Sequence, residues 1–73
     1  MTLAEQVRAA QLPPPAARHR IRSEARVSLA EVAAELNVSA VTVQRWERGI
    51  FEPRREKAIA YRNLLEALQQ ATG

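Results

Sequence analysis

The side chains with the clearest chemical potential lie in one short segment, Ser39 to Gly49. Val43 and Trp46 recur there at helical spacing, so on a helix they share one face and the side chains between them point outward. Gln44 can donate to and accept from adenine, and Arg45 can donate two hydrogen bonds to guanine. This face therefore offers hydrogen bonds to base edges in duplex DNA, and each good pairing contributes about 1–3 kcal/mol of discrimination.

We predict two kinds of DNA contact around this helix. Base edges are contacted by two polar residues and by two apolar ones whose methyl groups pack against thymine methyls: Ala40, Val41, Gln44 and Arg45. Phosphates are contacted by two hydroxyl side chains and three arginines: Ser39, Thr42, Arg48, Arg54 and Arg55. The last two arginines lie at the start of the final predicted helix, whose dipole also favours an anion. The phosphate contacts position the protein, whereas the base contacts specify the sequence.

Two short helices joined by a tight turn must position these side chains. The first carries apolar residues at helical spacing: Leu29, Val32, Ala33 and Leu36. Ser28 followed by Glu31 is typical of a capping box at its start, and Ser39 caps the second helix. Asn37, a residue type that tolerates the left-handed conformation, falls at the turn. The pattern predicts a helix-turn-helix, and spacing alone leaves open an ordinary helical hairpin that binds no ligand.

Three further helices are predicted around this unit. The first carries Leu3 and Val7 on a narrow apolar stripe. The second follows three consecutive prolines and has Ile21 at the centre of its apolar face. The third begins near Pro53 and continues to about Ala71, which makes it the longest of the set.

Together these segments predict an all-α fold, a compact bundle of four to five short helices. The chain divides into three parts: an N-terminal accessory helix over residues 1–12, a proline spacer over 13–15 and a helix-turn-helix domain over 16–73. A chain of 73 residues has room for one domain, and a domain of that size buries only about 60% of the surface of its unfolded chain. The fold must therefore rest on a small core.

The charge balance favours a polyanionic partner. Eleven lysines and arginines against eight aspartates and glutamates give a net charge of +3. Several of these cations cluster in and after the motif: Arg45, Arg48, Arg54, Arg55, Lys57 and Arg62. The cluster predicts a cationic edge beside the motif, although any one of these arginines could simply belong to a solvated helix face.

Composition also argues against several classes of protein. There is no cysteine and His19 is the only histidine, so we expect no disulfide, no metal site and no cofactor. Two glycines cannot build a glycine-rich phosphate loop, and no nucleophile with its base is evident, so we predict that the chain is not an enzyme. Nothing at the N-terminus resembles a signal peptide and no apolar run could span a membrane, so we expect a cytoplasmic, nucleoid-associated protein.

The motif resembles the second half of the helix-turn-helix in the Cro/repressor-type (XRE-like) family over three stretches: Val38-Ser39, Thr42-Val43 and Arg45-Trp46-Glu47-Arg48-Gly49. The resemblance extends over roughly residues 12–68. It implies a lambda-repressor-like fold in which the helix beginning near Ser39 lies in the major groove and the preceding helix braces it across the DNA backbone. It also implies that Arg22 and Glu47 form a buried, structural ion pair, because both match positions that do so in the family.

Three features depart from the family pattern. Leu29 stands where many members carry a glutamine that contacts the DNA backbone. Arg26 stands where a glycine often ends the preceding helix, so either this arginine adopts a strained left-handed conformation or the turn differs. Residues 1–12 are an addition to the minimal domain, and the resemblance assigns them no role.

The resemblance implies a sequence-specific double-stranded DNA-binding protein that acts as a small transcriptional regulator, of the repressor or Cro kind, from a phage or other mobile element. A homodimer could form through the C-terminal helix or through the N-terminal one. The same fold would also serve a protein-binding adaptor, an antitoxin-like module or a recombination directionality factor. The adaptor alternative predicts weak, sequence-independent DNA binding that is lost at moderate salt concentration.

Overall fold

Five α-helices and no strand make up the computed structural model, which describes residues 1–73. In chain order the helices are α1 (Leu3–Ala9), α2 (Pro15–Glu24), α3 (Leu29–Leu36), α4 (Ala40–Glu47) and α5 (Arg55–Thr72). α3 and α4 are the two helices of the helix-turn-helix, α2 packs against α4 and α5, and α1 lies against α5. The predicted all-α bundle is confirmed.

Local capping interactions fix the start of α3, its end and the start of α4. The Ser28 hydroxyl accepts from the Glu31 N–H at 3.0 Å, and the Glu31 carboxylate accepts from the Ser28 N–H at 3.0 Å. Hydrogen bonding to the Glu31 carboxylate, from the backbone N–H of Ser28 first and from its side chain second, holds the pKa of Glu31 below its usual value. Asn37 ends α3 in the left-handed conformation (φ 57°, ψ 47°), and the Ser39 hydroxyl accepts from the Thr42 N–H at 3.1 Å. The turn between the two helices is thus determined by side chains adjacent in sequence.

The hydrophobic core lies between α2, α3, α4 and α5. Its buried residues form one cluster: Ile21, Val32, Ala33, Leu36, Val43, Trp46, Tyr61 and Leu65. The rings of Trp46 and Tyr61 are tilted by 35° with their centroids 5.1 Å apart, which is within the range of a favourable aromatic pair. Trp46 is therefore a core residue that packs α4 against Tyr61 of α5. None of the five helices has the length and apolar character needed to cross a membrane.

The N-terminal segment departs from the sequence prediction at one boundary. α1 ends at Ala9 rather than at Leu12, because the chain turns at Ala10 and the Leu12 side chain packs against the core. Arg62 of α5 donates through Nη1 to the carbonyl oxygen of Arg8, so α1 is fastened to the bundle. Proline has a fixed φ that suits the first turn of a helix, and α2 indeed begins at the third proline of the spacer. The division of the chain at residues 12 and 15 stays a prediction.

Arg26 adopts the left-handed conformation, with φ 57°. The turn after α2 therefore keeps the geometry that suits glycine, and the arginine accepts the strain. We expect Arg26→Gly to raise the free energy of unfolding by about 0.5–1 kcal/mol, the relief of strain being partly offset by the greater freedom of glycine in the unfolded chain. Urea denaturation of both proteins would measure the difference, and a loss of stability would show that the Arg26 side chain makes a stabilising contact.

Tyr61 buries a hydroxyl group that has no hydrogen-bond partner. Burial, reinforced by the negative charge of Glu47, raises the pKa of the Tyr61 phenol to about 12. Because a buried, unpaired hydroxyl costs about 1–3 kcal/mol, Tyr61→Phe should raise the free energy of unfolding by about 1 kcal/mol while leaving the ring packing intact. Thermal and chemical denaturation would check this expectation, and a variant less stable than the wild type would contradict it.

Candidate nucleic-acid interface

The outer face of α4 carries the side chains that could contact bases. Val43 and Trp46 of this helix are buried in the core, with 0% and 2% of their surfaces exposed. The opposite face of α4 therefore points toward solvent. Val41 is 53% exposed, Arg45 is exposed and Gln44 is half-buried in a polar pocket. These three lie on the side of α4 that the spacing predicts. Their roles in reading bases stay predictions.

Ala40 departs from the outward placement that we predicted for it. It is half-buried and packs against the hydrophobic core. It is the first residue of α4 and lies three residues before the buried Val43, so it borders the buried face of the helix. Ala40, like the half-buried Gln44, retains part of its surface exposed, and its contact with a base stays a prediction.

The predicted phosphate-binding residues fall into two groups. The hydroxyls of Ser39 and Thr42 lie 2.9 Å apart at the start of α4, and the former already caps the helix. The three arginines lie at helix ends: Arg48 at the C-terminal cap of α4, Arg54 at the N-terminal cap of α5 and Arg55 at the first position of α5. All three are exposed, and none of them forms a salt bridge. Their guanidinium groups are thus free to contact an anionic ligand.

Arg22 and Glu47 join α2 to the last turn of α4. Arg22 Nε donates to Glu47 Oε2 at 2.6 Å and Nη2 donates to Oε1 at 3.0 Å, while Nη1 donates to the Val27 carbonyl at 2.9 Å. The two charged side chains are only 14% and 7% exposed. His19 Nδ1 lies 3.0 Å from the same carboxylate. The bidentate contact therefore attaches the last turn of α4 to α2.

The pKa of the Glu47 carboxyl follows from these contacts. Burial acts to raise it, but the hydrogen bonds from Arg22 and His19 and their charges outweigh burial, so the pKa of Glu47 is lowered. The hydrogen bond with Glu47, despite the opposing effect of burial, correspondingly raises the pKa of Arg22. At neutral pH both partners are charged.

A lowered pKa in the folded state makes stability depend on pH. Glu47 contributes fully above the usual pKa of about 4.5, and its contribution is lost as the pH falls through the lower value of the folded state. We therefore expect the stability difference between the wild type and Glu47→Gln to be constant near neutral pH and to shrink below about pH 4.5. Melting temperatures of both proteins across this range would measure it, and a difference that stays constant in acid would exclude Glu47 as the titrating group.

Arg18 is a buried residue that sequence analysis did not single out, with only 4% of its surface exposed. Its Nε donates to the Pro13 carbonyl at 2.7 Å, its Nη1 to the Trp46 carbonyl at 3.1 Å and its Nη2 to Glu52 Oε2 at 2.8 Å. The guanidinium thus joins the proline spacer, the C-terminal end of α4 and the loop that follows. The available signal was its position one turn before Arg22, which places both arginines on the same face of α2.

The loop between α4 and α5 is held at two points. Gly49 has φ 70°, and a Cβ atom there would lie 3.2 Å from Pro15 Cγ, so the position favours glycine for its conformation and for its close approach. Three residues later, Glu52 accepts from Arg18. Between these points Ile50 and Phe51 are exposed at 63% and 42%. The loop therefore holds Arg48 and Arg54 at its two ends, and Arg55 follows at the start of α5.

A polar pocket opens beside α4 on the same side as this face. Its lining combines cationic, neutral and acidic side chains: His19, Arg22, Leu29, Gln44, Glu47 and Arg48. No three histidine, aspartate or glutamate residues lie close enough together to hold a metal ion. Within this lining Arg22 and His19 contact the Glu47 carboxylate, and Arg48 forms no salt bridge.

Comparison with known proteins gives one match. The model of the helix-turn-helix family matches residues 19–67, which is about two thirds of the chain and includes both helices of the motif. Searches of curated proteins and of solved structures gave no match.

Proposed function

Because the chain belongs to the Cro/repressor-type (XRE-like) helix-turn-helix family, we propose that it is a sequence-specific double-stranded DNA-binding protein that acts in the cytoplasm as a small transcriptional regulator of the repressor or Cro kind. The membership confirms the family predicted from the motif, and the family binds DNA rather than catalysing a reaction. In this proposal α4 enters the major groove, with α3 bracing it across the backbone. Val41, Gln44 and Arg45 then face the base edges.

One observation carries the proposal. Four arginines on or beside α4 are exposed and unpaired, while the buried face of the same helix is fixed by the core: Arg45, Arg48, Arg54 and Arg55. An unpaired guanidinium retains all its donors for phosphates or guanine, and it has no intramolecular ion pair to break on binding. Arg45 and Arg48 on α4, together with Arg54 and Arg55 at the start of α5, support base readout combined with backbone contacts.

Selection of binding sites from random duplex DNA tests the proposal. The wild type should enrich one sequence motif, and the double variant Gln44→Ala, Arg45→Ala should lose it at the same salt concentration. Arg8→Ala is the matched control, because it removes an exposed positive charge from α1, which packs against α5 and not against α4. We expect this control to enrich the same motif as the wild type.

The form of the motif tests the oligomeric state as well. A palindrome with half-sites about one helical turn apart would support a homodimer, for which the exposed Leu3 and Val7 of α1 offer one surface and the end of α5 another. A single short site would support binding as a monomer. If no motif is enriched, the proposal fails, and an adaptor or antitoxin-like role becomes the better explanation.

A further inference from the structure

His19 lies beside α4, where one ring nitrogen contacts Glu47 and the rest of the imidazole is open to solvent. Its side chain is 59% exposed, and it lines the polar pocket together with Gln44 and Arg48 of α4. A phosphate in this pocket would lie beside the helix proposed to enter the major groove. The imidazole is therefore placed where the DNA backbone would pass.

The two ring nitrogens of His19 have different surroundings. Nδ1 lies 3.0 Å from Glu47 Oε1 and 3.2 Å from Arg22 Nη2, whereas Nε2 has only the Ser23 hydroxyl at 3.5 Å. Donation from Nδ1 to the Glu47 carboxylate, which can only accept, requires a proton on Nδ1, whereas acceptance from Arg22 Nη2, which can only donate, requires an unprotonated Nδ1. A neutral imidazole has one N–H, and with Nδ1 protonated Nε2 has no proton to donate. Only the imidazolium form can donate to Glu47 and to a phosphate together.

We propose that His19 is a phosphate contact of the DNA-binding surface and acts as an imidazolium, with Nδ1–H donating to Glu47 and Nε2–H donating to a DNA phosphate. The inference rests on the proposed function and deepens it. DNA binding then takes up a proton at His19 whenever the free protein carries the neutral ring. The affinity for DNA consequently rises as the pH falls.

The charged groups that face the imidazole are few. Arg22 comes from its own helix, and Glu47 and Arg48 come from α4, while α3 contributes only Leu29, which does not titrate. Arg22 and Glu47 already neutralise each other through their bidentate contact. Neither arginine changes charge near neutral pH, so His19 is the group in this pocket that can link binding to pH in that range.

Fluorescence anisotropy with a duplex carrying the selected motif tests the inference. Affinity is measured at constant ionic strength from about pH 5.5 to about pH 8, the interval in which histidines titrate. We expect the wild type to bind about tenfold more tightly at the lower pH. His19→Gln should bind with the same weaker affinity at both pH values, and His19→Lys, which keeps a positive charge, should bind tightly at both. Arg8→Ala should keep the full pH dependence.

A second readout follows the proton itself. Because His19 is the only histidine, its imidazole resonances in NMR spectra are unambiguous, and their titration should move to higher pH when DNA is added. Melting temperatures of the variants establish that each one is folded over the range. Tight, motif-specific binding that does not depend on pH, or a His19→Gln variant as tight as the wild type at low pH, would overturn the inference and leave the proposed function standing. Failure to select any motif would instead overturn the proposed function.

Discussion

Replacing Glu47 with glutamine should lower the free energy of unfolding by about 3–5 kcal/mol, because the Arg22 guanidinium would be left buried without a counter-ion. The glutamine fills the same volume, so loss of packing does not explain such a change. Urea denaturation monitored by the fluorescence of Trp46, the only tryptophan, would measure the loss. The DNA affinity of the folded variant should fall as well, since α4 would lose one of its fixed attachments.

Two further variants isolate the ion pair from its surroundings. Glu35→Gln makes the same chemical change at an exposed position of α3 and should alter stability by no more than about 0.5 kcal/mol. The double variant Arg22→Met, Glu47→Leu removes both charges, and it should recover much of the loss because neither charge is then buried alone. A loss below about 1 kcal/mol for Glu47→Gln would show that the Arg22 guanidinium finds water or another partner.

Arg18→Met should cost about 2–4 kcal/mol. Methionine has a similar length and keeps the buried packing, but the carbonyl groups of Pro13 and Trp46 lose the donor that reaches them from α2. The contact with Glu52 is lost too, although that carboxylate is half-exposed and can be hydrated, so its contribution is the smaller one. Chemical denaturation would measure the change.

Arg20→Met is the matched control, because Arg20 belongs to the same helix and is exposed. It should shift stability by less than about 0.5 kcal/mol. Amide hydrogen exchange adds a local readout: in Arg18→Met the amides of the Arg48–Arg54 loop should exchange faster, because one of the two points that hold the loop is gone. Equal exchange in both variants would show that Gly49 and Pro15 alone are sufficient to hold it.

The elements that sequence analysis predicts well are those that local chemistry determines. The α3–α4 unit depends on a capping box, a left-handed asparagine and a serine cap, all within residues 28–39. The residue types at these positions predict each of the three features. The inward face of α4 follows from helical spacing alone. The ion pair between Arg22 and Glu47 was available only through the family resemblance, because nothing in the spacing of two residues so far apart joins them.

The features that were missed depend on long-range packing. Arg18 is one of four basic residues between positions 18 and 22, and only the position of α4 against α2 makes it the buried one. The backbone carbonyl groups that accept hydrogen bonds from Arg18 cannot be predicted from the sequence, since every residue has one. Ala40 lies three residues before the buried Val43, at the edge of the buried face of α4, and only the structure shows that it packs against the core.

The buried guanidinium of Arg18 also bears on where a stable fragment of the chain can begin. The family match begins at residue 19, one position beyond that side chain and well after Pro13 and Pro15. A fragment cut at the limits of the match would lose the donor to the last turn of α4 and the proline ring that packs against Gly49. We therefore expect a fragment that begins at residue 19 to be less stable than one that begins at or before Pro13.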